Sequence, residues 1–189
     1  MVDLARMSSE DLIRLLDVYA KNWLAHDGSW FLAAEERFGM ETAIELDRES
    51  WRRFSVAEAR RIMEAFAIPA GGGLQALEKA LNYRLYAMVN MQAAIWTEDG
   101  ALEFRMVGCR VQSTRRRRGL PDFPCKSVGI VEYTEFAKTV DPRIRTECVA
   151  CPPDPTGDSY CVWRFTLIGD ERNEAEQPYA KSNNRQDAK

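Results

Sequence analysis

The sequence predicts an α+β fold: a helical N-terminal layer packed on an antiparallel sheet of about four strands, with inserted helices. Three observations predict it. Apolar residues recur at helical spacing through residues 1–82, the period changes to alternation near residue 85, and Asp99-Gly100 supplies a hairpin turn between two alternating runs.

The first helix starts after Ser8 and Ser9, which suit an N-cap, and carries Leu12, Leu16, Tyr19, Ala20 and Trp23 as one apolar stripe. Asp27-Gly28 reads as a turn. A short amphipathic run follows with Trp30, Phe31, Ala34 and Phe38 inward, stopped by Gly39. Residues 40–54 continue in the same style. Ser55 with Glu58 has the spacing of a capping box, opening a helix whose inner face is Ala59, Ile62, Met63 and Phe66 and which Pro69 ends. The run Gly71 to Gly73 is a break, after which Leu74, Leu77, Ala80 and Leu81 start another helix.

Leu85, Ala87, Val89, Met91, Ala93 and Ile95 alternate and predict a strand. Leu102, Phe104 and Met106 line one face of the returning strand. The apolar phase then moves to Val107, Cys109 and Val111, which a bulge at Gly108 would explain. The segment "KSVGIVEYTEFAKTV" fits strand or helix by periodicity, and the charged residues recurring through it and the stop at Asp141-Pro142 favour a helix. Two strands follow, with Ile144, Thr146 and Cys148 on one face of the first and Cys161, Trp163, Phe165 and Leu167 on one face of the second. The organisation expected is a helical region over 1–82, an α+β metal- and ligand-binding unit over 83–169, and a polar, aperiodic tail over 170–189 that reads as disordered.

Composition excludes several classes of function. The 26 Lys and Arg residues fall short of the 29 Asp and Glu residues, so no surplus of positive charge serves a nucleic-acid backbone. The opening "MVDLARMSSEDLIRLL" lacks a basic leader with an apolar run, and no segment has the 18 or so apolar residues of a membrane span. A cytoplasmic protein is expected, where thiols stay reduced and clustered cysteines serve metal binding or chemistry.

The stretch "CVACPPDPTGDSYC" holds three of the five cysteines. Cys148 and Cys151 have the C-x-x-C spacing that brings two thiolates to one ion. Cys161 opens the partner strand of the hairpin, and Cys125, at the expected start of a helix that would stabilise a thiolate, is the natural fourth ligand. Cys109 reads as a mid-strand residue that packs as a small hydrophobe, is reactive, or substitutes as a ligand. Zinc is the expected cofactor. A redox C-x-x-C over Cys148 and Cys151 conflicts with Pro152-Pro153, which would break the helix such a motif opens, and the spacing matches neither common ferredoxin run.

The segments "MVGCRVQSTRRRRGLPDFPCKSVGIVEYTEFAKTVDPRI" and "CPPDPTGDSYCVWRFTL" resemble the C-terminal half of the L-2-amino-thiazoline-4-carboxylic acid hydrolase-like family. The shared elements are a cysteine before a short helix ending in Gly-Leu-Pro (Cys109), a cysteine opening the next helix (Cys125), and the close formed by Gly157, Asp158, Cys161 and Phe165. The tail "TECVACPPDPTGDSYCVWRF" is also similar to the vinyl-reductase-type small-molecule-binding domain. That resemblance implies a zinc held by residues matching Cys125, Cys148 and Cys161, with Cys151 replacing a carboxylate ligand.

Other constellations are weaker. His26 is the single histidine, placed to pair with Asp27, to face Glu35 and Glu36 as a general base, or simply to be hydrogen-bonded at a helix end. His26, Trp30, Phe31 and Glu35 form the candidate pocket. The run Arg115 to Arg118 spreads around a helix, so at most two of its members reach one ligand and a solvated surface is the plainer account. The function expected is a cytosolic zinc-binding, small-molecule-binding protein whose cysteine metal site is structural. The alternatives are a hydrolase of the amino-thiazoline-carboxylate type and a protein-interaction subunit. The expected partner is a small-molecule ligand rather than nucleic acid or membrane, with a homodimer left open.

Overall fold

A computed structural model describes residues 3–155 and 157–169. Its architecture is α+β: five α-helices and a four-stranded antiparallel sheet. Two long helices come first, α1 (Ser9–Phe38) and α2 (Met40–Ala65), then α3 (Gly73–Leu81). Strands β1 (Met91–Trp96) and β2 (Leu102–Gly108) form the first hairpin, helices α4 (Arg110–Arg117) and α5 (Lys126–Val140) follow, and β3 (Ile144–Ala150) and β4 (Cys161–Leu167) form the second hairpin. The strand order is β1-β2-β4-β3. The expected tail over 170–189 lies outside the described residues.

Side-chain alternation separates the sheet's two faces. Leu102, Phe104 and Met106 of β2 and Trp163 and Phe165 of β4 point inward and are buried. Glu103, Arg105 and Arg164 alternate with them, and Arg105 and Arg164 approach Glu103 at 2.7 and 3.7 Å on the outer face. Against the inner face lie Tyr133, Phe136, Ala137 and Val140 of α5 and Leu77, Ala80 and Leu81 of α3, with Ala59 and Ile62 of α2 joining the same core. A second cluster of Trp51, Phe123 and Val128, flanked by Trp23, Phe31, Phe54 and Tyr86, lies under α1.

Several local expectations change in three dimensions. Asp27-Gly28 is no turn: α1 runs unbroken through it. The inner face of α1 is Leu24, Gly28, Phe31 and Glu35, so Trp30 is 69% exposed and Phe38 57%. Leu16 and Tyr19 of the predicted stripe are also exposed. Ser55 does not cap a helix; it is buried midway along α2, which continues from Met40 without a break. Leu85–Met88 form a 3-10 turn rather than the start of a strand, because Glu58 of α2 accepts from both Arg84 Nε (2.9 Å) and the Leu85 backbone N–H (3.3 Å) and holds the chain against α2 before β1 begins.

The expected bulge exists, with Val107 as its extra residue: Met91 faces Gly108 while Gln92 faces Met106. A Cβ on Gly108 would stand 3.1 Å from Met91 Cβ, so the strand crossing is close there. Cys109 is therefore not mid-strand. It is the N-cap position of α4.

Candidate functional site

The cysteines meet because of a second bulge. Residues three apart in a regular strand point to opposite faces, which would separate Cys148 from Cys151. In β3, Cys148 pairs with Trp163 and Ala150 with Val162, so Val149 is an extra residue. The phase slips by one, and Cys151 turns inward at 1% exposure, beside Cys161 at the start of β4.

Cys125 arrives from the other side. It precedes the first residue of α5, where the Lys126 backbone N–H donates to Pro152 O (3.0 Å) and Lys126 Nζ meets Asp154 Oδ2 (2.6 Å). Those bonds fasten the start of α5 to the turn after Cys151 and leave the Cys125 and Cys151 sulfurs 3.4 Å apart. Cys161, nearby at the start of β4, accepts at its sulfur from Trp163 Nε1 at 3.3 Å. Gln112 of α4 completes the support: its amide exchanges two hydrogen bonds with the Phe123 backbone (2.8 and 2.9 Å), and its Nε2 lies 3.7 Å from Cys125 Sγ.

These thiols line a cavity of about 370 Å³ between α1, α2 and the inner face of the sheet. Cys109, Cys125, Cys151 and Cys161 face it together with Trp163 and Tyr133; Cys148 does not line it. Phe31, Trp51, Phe123 and Val128 form apolar walls, and Asp27, Asp47 and Glu132 bring carboxyl groups from α1, α2 and α5.

Burial controls the titration of this set. Desolvation, then the neighbouring charges of Asp27 and Glu132, pushes the Asp47 carboxyl up to about 7. Burial outweighs the nearby Arg84 and pushes Glu132 up to about 7 as well, and burial raises Asp27. The hydrogen bond from Cys151 lowers the Cys125 thiol below its ordinary value and raises that of Cys151, whereas burial pushes Cys109 up to about 11 and raises Cys148.

Beneath Glu132 lies Arg84, whose side chain is 1% exposed. Its Nη1 stands 2.8 Å from Glu132 Oε1, an ion pair too poorly aligned to be a hydrogen bond, and its guanidinium carbon lies 4.7 Å from the Phe136 ring centre. Two carboxylates and a ring of aromatics thus surround one buried cation.

Of the predicted pocket residues, Phe31 lines the cavity. Glu35 supports it indirectly, gripping Arg115 with both oxygens at 2.7 and 3.0 Å. Arg115 is buried, so the arginine run is not merely a solvated surface. His26 and Trp30 are corrections: both are exposed, on the side of α1 turned away from the cavity. Of the predicted zinc ligands, Cys125, Cys151 and Cys161 line the cavity, while Cys148 packs on the same core without lining it. Among the described residues no group of three or more His, Cys, Asp or Glu side chains is placed to hold a metal ion.

A family model described as a family of unknown function, DUF6125, matches residues 5–167. The chain belongs to that family. No curated protein and no solved structure matches it. The DUF6125 match takes in everything from α1 to β4 and all five cysteines, so the cavity lies within the family unit. Among the described residues no helix is long and apolar enough to cross a membrane.

Sequence reasoning missed Asp47, Glu132 and Gln112. Asp47 and Glu132 sit in charge-rich helical runs that look like solvated faces, and nothing local marks the one carboxyl in each that turns inward. Gln112 had no signal beyond its place in α4.

Proposed function

We propose that this protein binds a small organic molecule, in the cytoplasm, within the cavity between the N-terminal helices and the sheet. The observation that carries the reading is the cavity itself: about 370 Å³, with aromatic and aliphatic walls and a few convergent polar groups, which is the usual construction of a ligand site. An amino-thiazoline-type substrate would occupy the same space, with Glu132 as an acid able to hold and release a proton near neutrality.

The test is occupancy. The apolar dye 1-anilinonaphthalene-8-sulfonate is expected to bind the native chain in equimolar amount and to perturb the fluorescence of Trp51 in the cavity wall. Replacing Val128 of the wall by Phe should abolish binding. Dye binding by the native protein that Val128→Phe leaves untouched would overturn the reading.

A second reading assigns the thiols to zinc, supported by the 3.4 Å approach of the Cys125 and Cys151 sulfurs in a cavity that Cys161 also lines. A tetrahedral site needs a fourth group, and Cys109 faces the same cavity where Cys148 does not. Elemental analysis of the purified chain decides it: about one zinc per chain supports the reading, and metal-free protein of unchanged thermal stability removes it.

A further inference from the structure

Cys125 and Cys151 are joined by more than proximity. The Lys126 N–H bond to Pro152 O and the Lys126–Asp154 ion pair tie the two backbone segments next to the thiols. Their sulfurs are 3.4 Å apart, and a disulfide needs about 2.05 Å, a shift within reach of side-chain rotation. Both segments are chain reversals rather than ladder interiors: Cys125 precedes α5 and Cys151 follows β3. The two thiols also face a cavity, so the pair is open to a small molecule and screened from a protein-sized one.

We propose that Cys125 and Cys151 are a reversible dithiol–disulfide pair whose oxidant is a small organic disulfide admitted through the cavity. Cys125 is the attacking sulfur, being the less buried of the two and supported by Gln112 Nε2. Its thiolate attacks one sulfur of the substrate RSSR; a Cys125–SR bond forms, the substrate S–S bond breaks, and RS⁻ leaves. The Cys151 sulfur, giving up its proton, then attacks Cys125 Sγ. The Cys125–Cys151 bond forms, the mixed disulfide breaks, and a second thiolate leaves. The two cysteines are oxidised by two electrons, the substrate is reduced to two RSH, and the two thiol protons pass to the products. Cys151 rather than Cys161 is the resolving residue, because its sulfur stands 3.4 Å from Cys125 Sγ. A reducible pair suits a compartment in which stable disulfides are rare and transient ones are catalytic or sensing.

This inference rests on the cavity admitting small molecules, and the experiment separates the two claims. The fully reduced native chain is exposed to 2-hydroxyethyl disulfide, free thiols are trapped with N-ethylmaleimide, and the peptides are mapped by mass. The expected result is loss of two alkylatable thiols, a Cys125–Cys151 cross-link, and two equivalents of 2-mercaptoethanol released. Cys151→Ser should stop at a mixed disulfide on Cys125, and Cys125→Ser should form neither species. Val128→Phe, which closes the cavity, should slow oxidation at least tenfold. A cross-link involving Cys148 or Cys161 overturns the proposal. So does a chain that binds the dye yet keeps all five thiols free, which leaves the cavity reading standing. Stoichiometric zinc that protects Cys125 and Cys151 from both reagents overturns it too. Oxidation at an undiminished rate in Val128→Phe removes the cavity as the route. The mapping of the native chain requires no variant to fold.

Discussion

Gly129 and Trp163 fix how closely α5 lies on the sheet: a Cβ on Gly129 would stand 2.6 Å from Trp163 Cζ2 and 2.9 Å from its Cη2. A glycine inside a helix costs roughly 1 kcal/mol relative to alanine, so its presence there needs a reason, and the indole against it is that reason. Gly129→Ala should therefore destabilise the protein by roughly 1–3 kcal/mol, the range for overpacking a filled core. Urea unfolding measures it. If alanine stabilised the protein instead, as at an unconstrained helical site, the contact would not be limiting.

The Arg84 cation holds two buried carboxylates together. Arg84→Ala leaves Glu58 and Glu132 facing each other without it, and the expected loss is roughly 3–5 kcal/mol near neutrality. The loss should shrink toward pH 5, where Glu132 carries a proton and one charge disappears. Equal losses at pH 5 and pH 8 would mean the arginine acts through packing alone.

Asp47 and Glu132 are each pushed up to about 7, from ordinary values of 3.8 and 4.5. Between those values the folded chain keeps protons that the unfolded chain has released, so stability falls as pH rises toward 7 and levels off above it. The charges of Asp27 and Glu132 add to the effect of burial at Asp47. Asp47→Asn should raise the melting temperature at pH 8 by a few degrees and flatten the slope. A native melting temperature that climbs from pH 5 to pH 8 contradicts this assignment.

Asp141 works in the opposite direction and in a different window. Arg143 and backbone N–H donors hold its carboxyl down at about 2, and its Oδ2 accepts from the Gly73 backbone at 3.0 Å, joining the end of α5 to the start of α3. The stability it contributes is complete above its ordinary 3.8 and is lost as pH falls toward 2. Asp141→Ala leaves buried donors unpaired and should cost roughly 1–3 kcal/mol at pH 7, read by urea unfolding. It should also remove the part of the acid-limb loss below pH 4 that this carboxylate is expected to cause.

The sequence by itself determined the elements whose signals are local. Alternation in Leu102, Phe104 and Met106 and in Trp163 and Phe165, with Asp99-Gly100 between the first two strands, specifies half-buried antiparallel strands. The spacing of Leu74, Leu77, Ala80 and Leu81 specifies α3, whereas the run before Asp141 fits strand or helix by period and only its recurring charges favour the helix that α5 is. The sequence also grouped Cys125, Cys148, Cys151 and Cys161, of which all but Cys148 line the cavity. Tertiary structure decided what depends on balances between distant parts. Asp27-Gly28 carries a turn signal, but a glycine in a helix costs only about 1 kcal/mol, and the packing of Leu24 and Phe31 on either side of it keeps α1 continuous. Val149 looks like any strand residue, yet its bulge turns Cys151 rather than Ala150 inward. The 3.4 Å approach of Cys151 to Cys125 depends on docking α5 against the second hairpin across 26 residues of chain. Asp47 and Glu132 read as ordinary surface charges because a carboxyl's environment is set by the helices that close over it. That closure, which makes the cavity and shifts its acids, is a property of the packed layers that residue spacing along one helix does not encode.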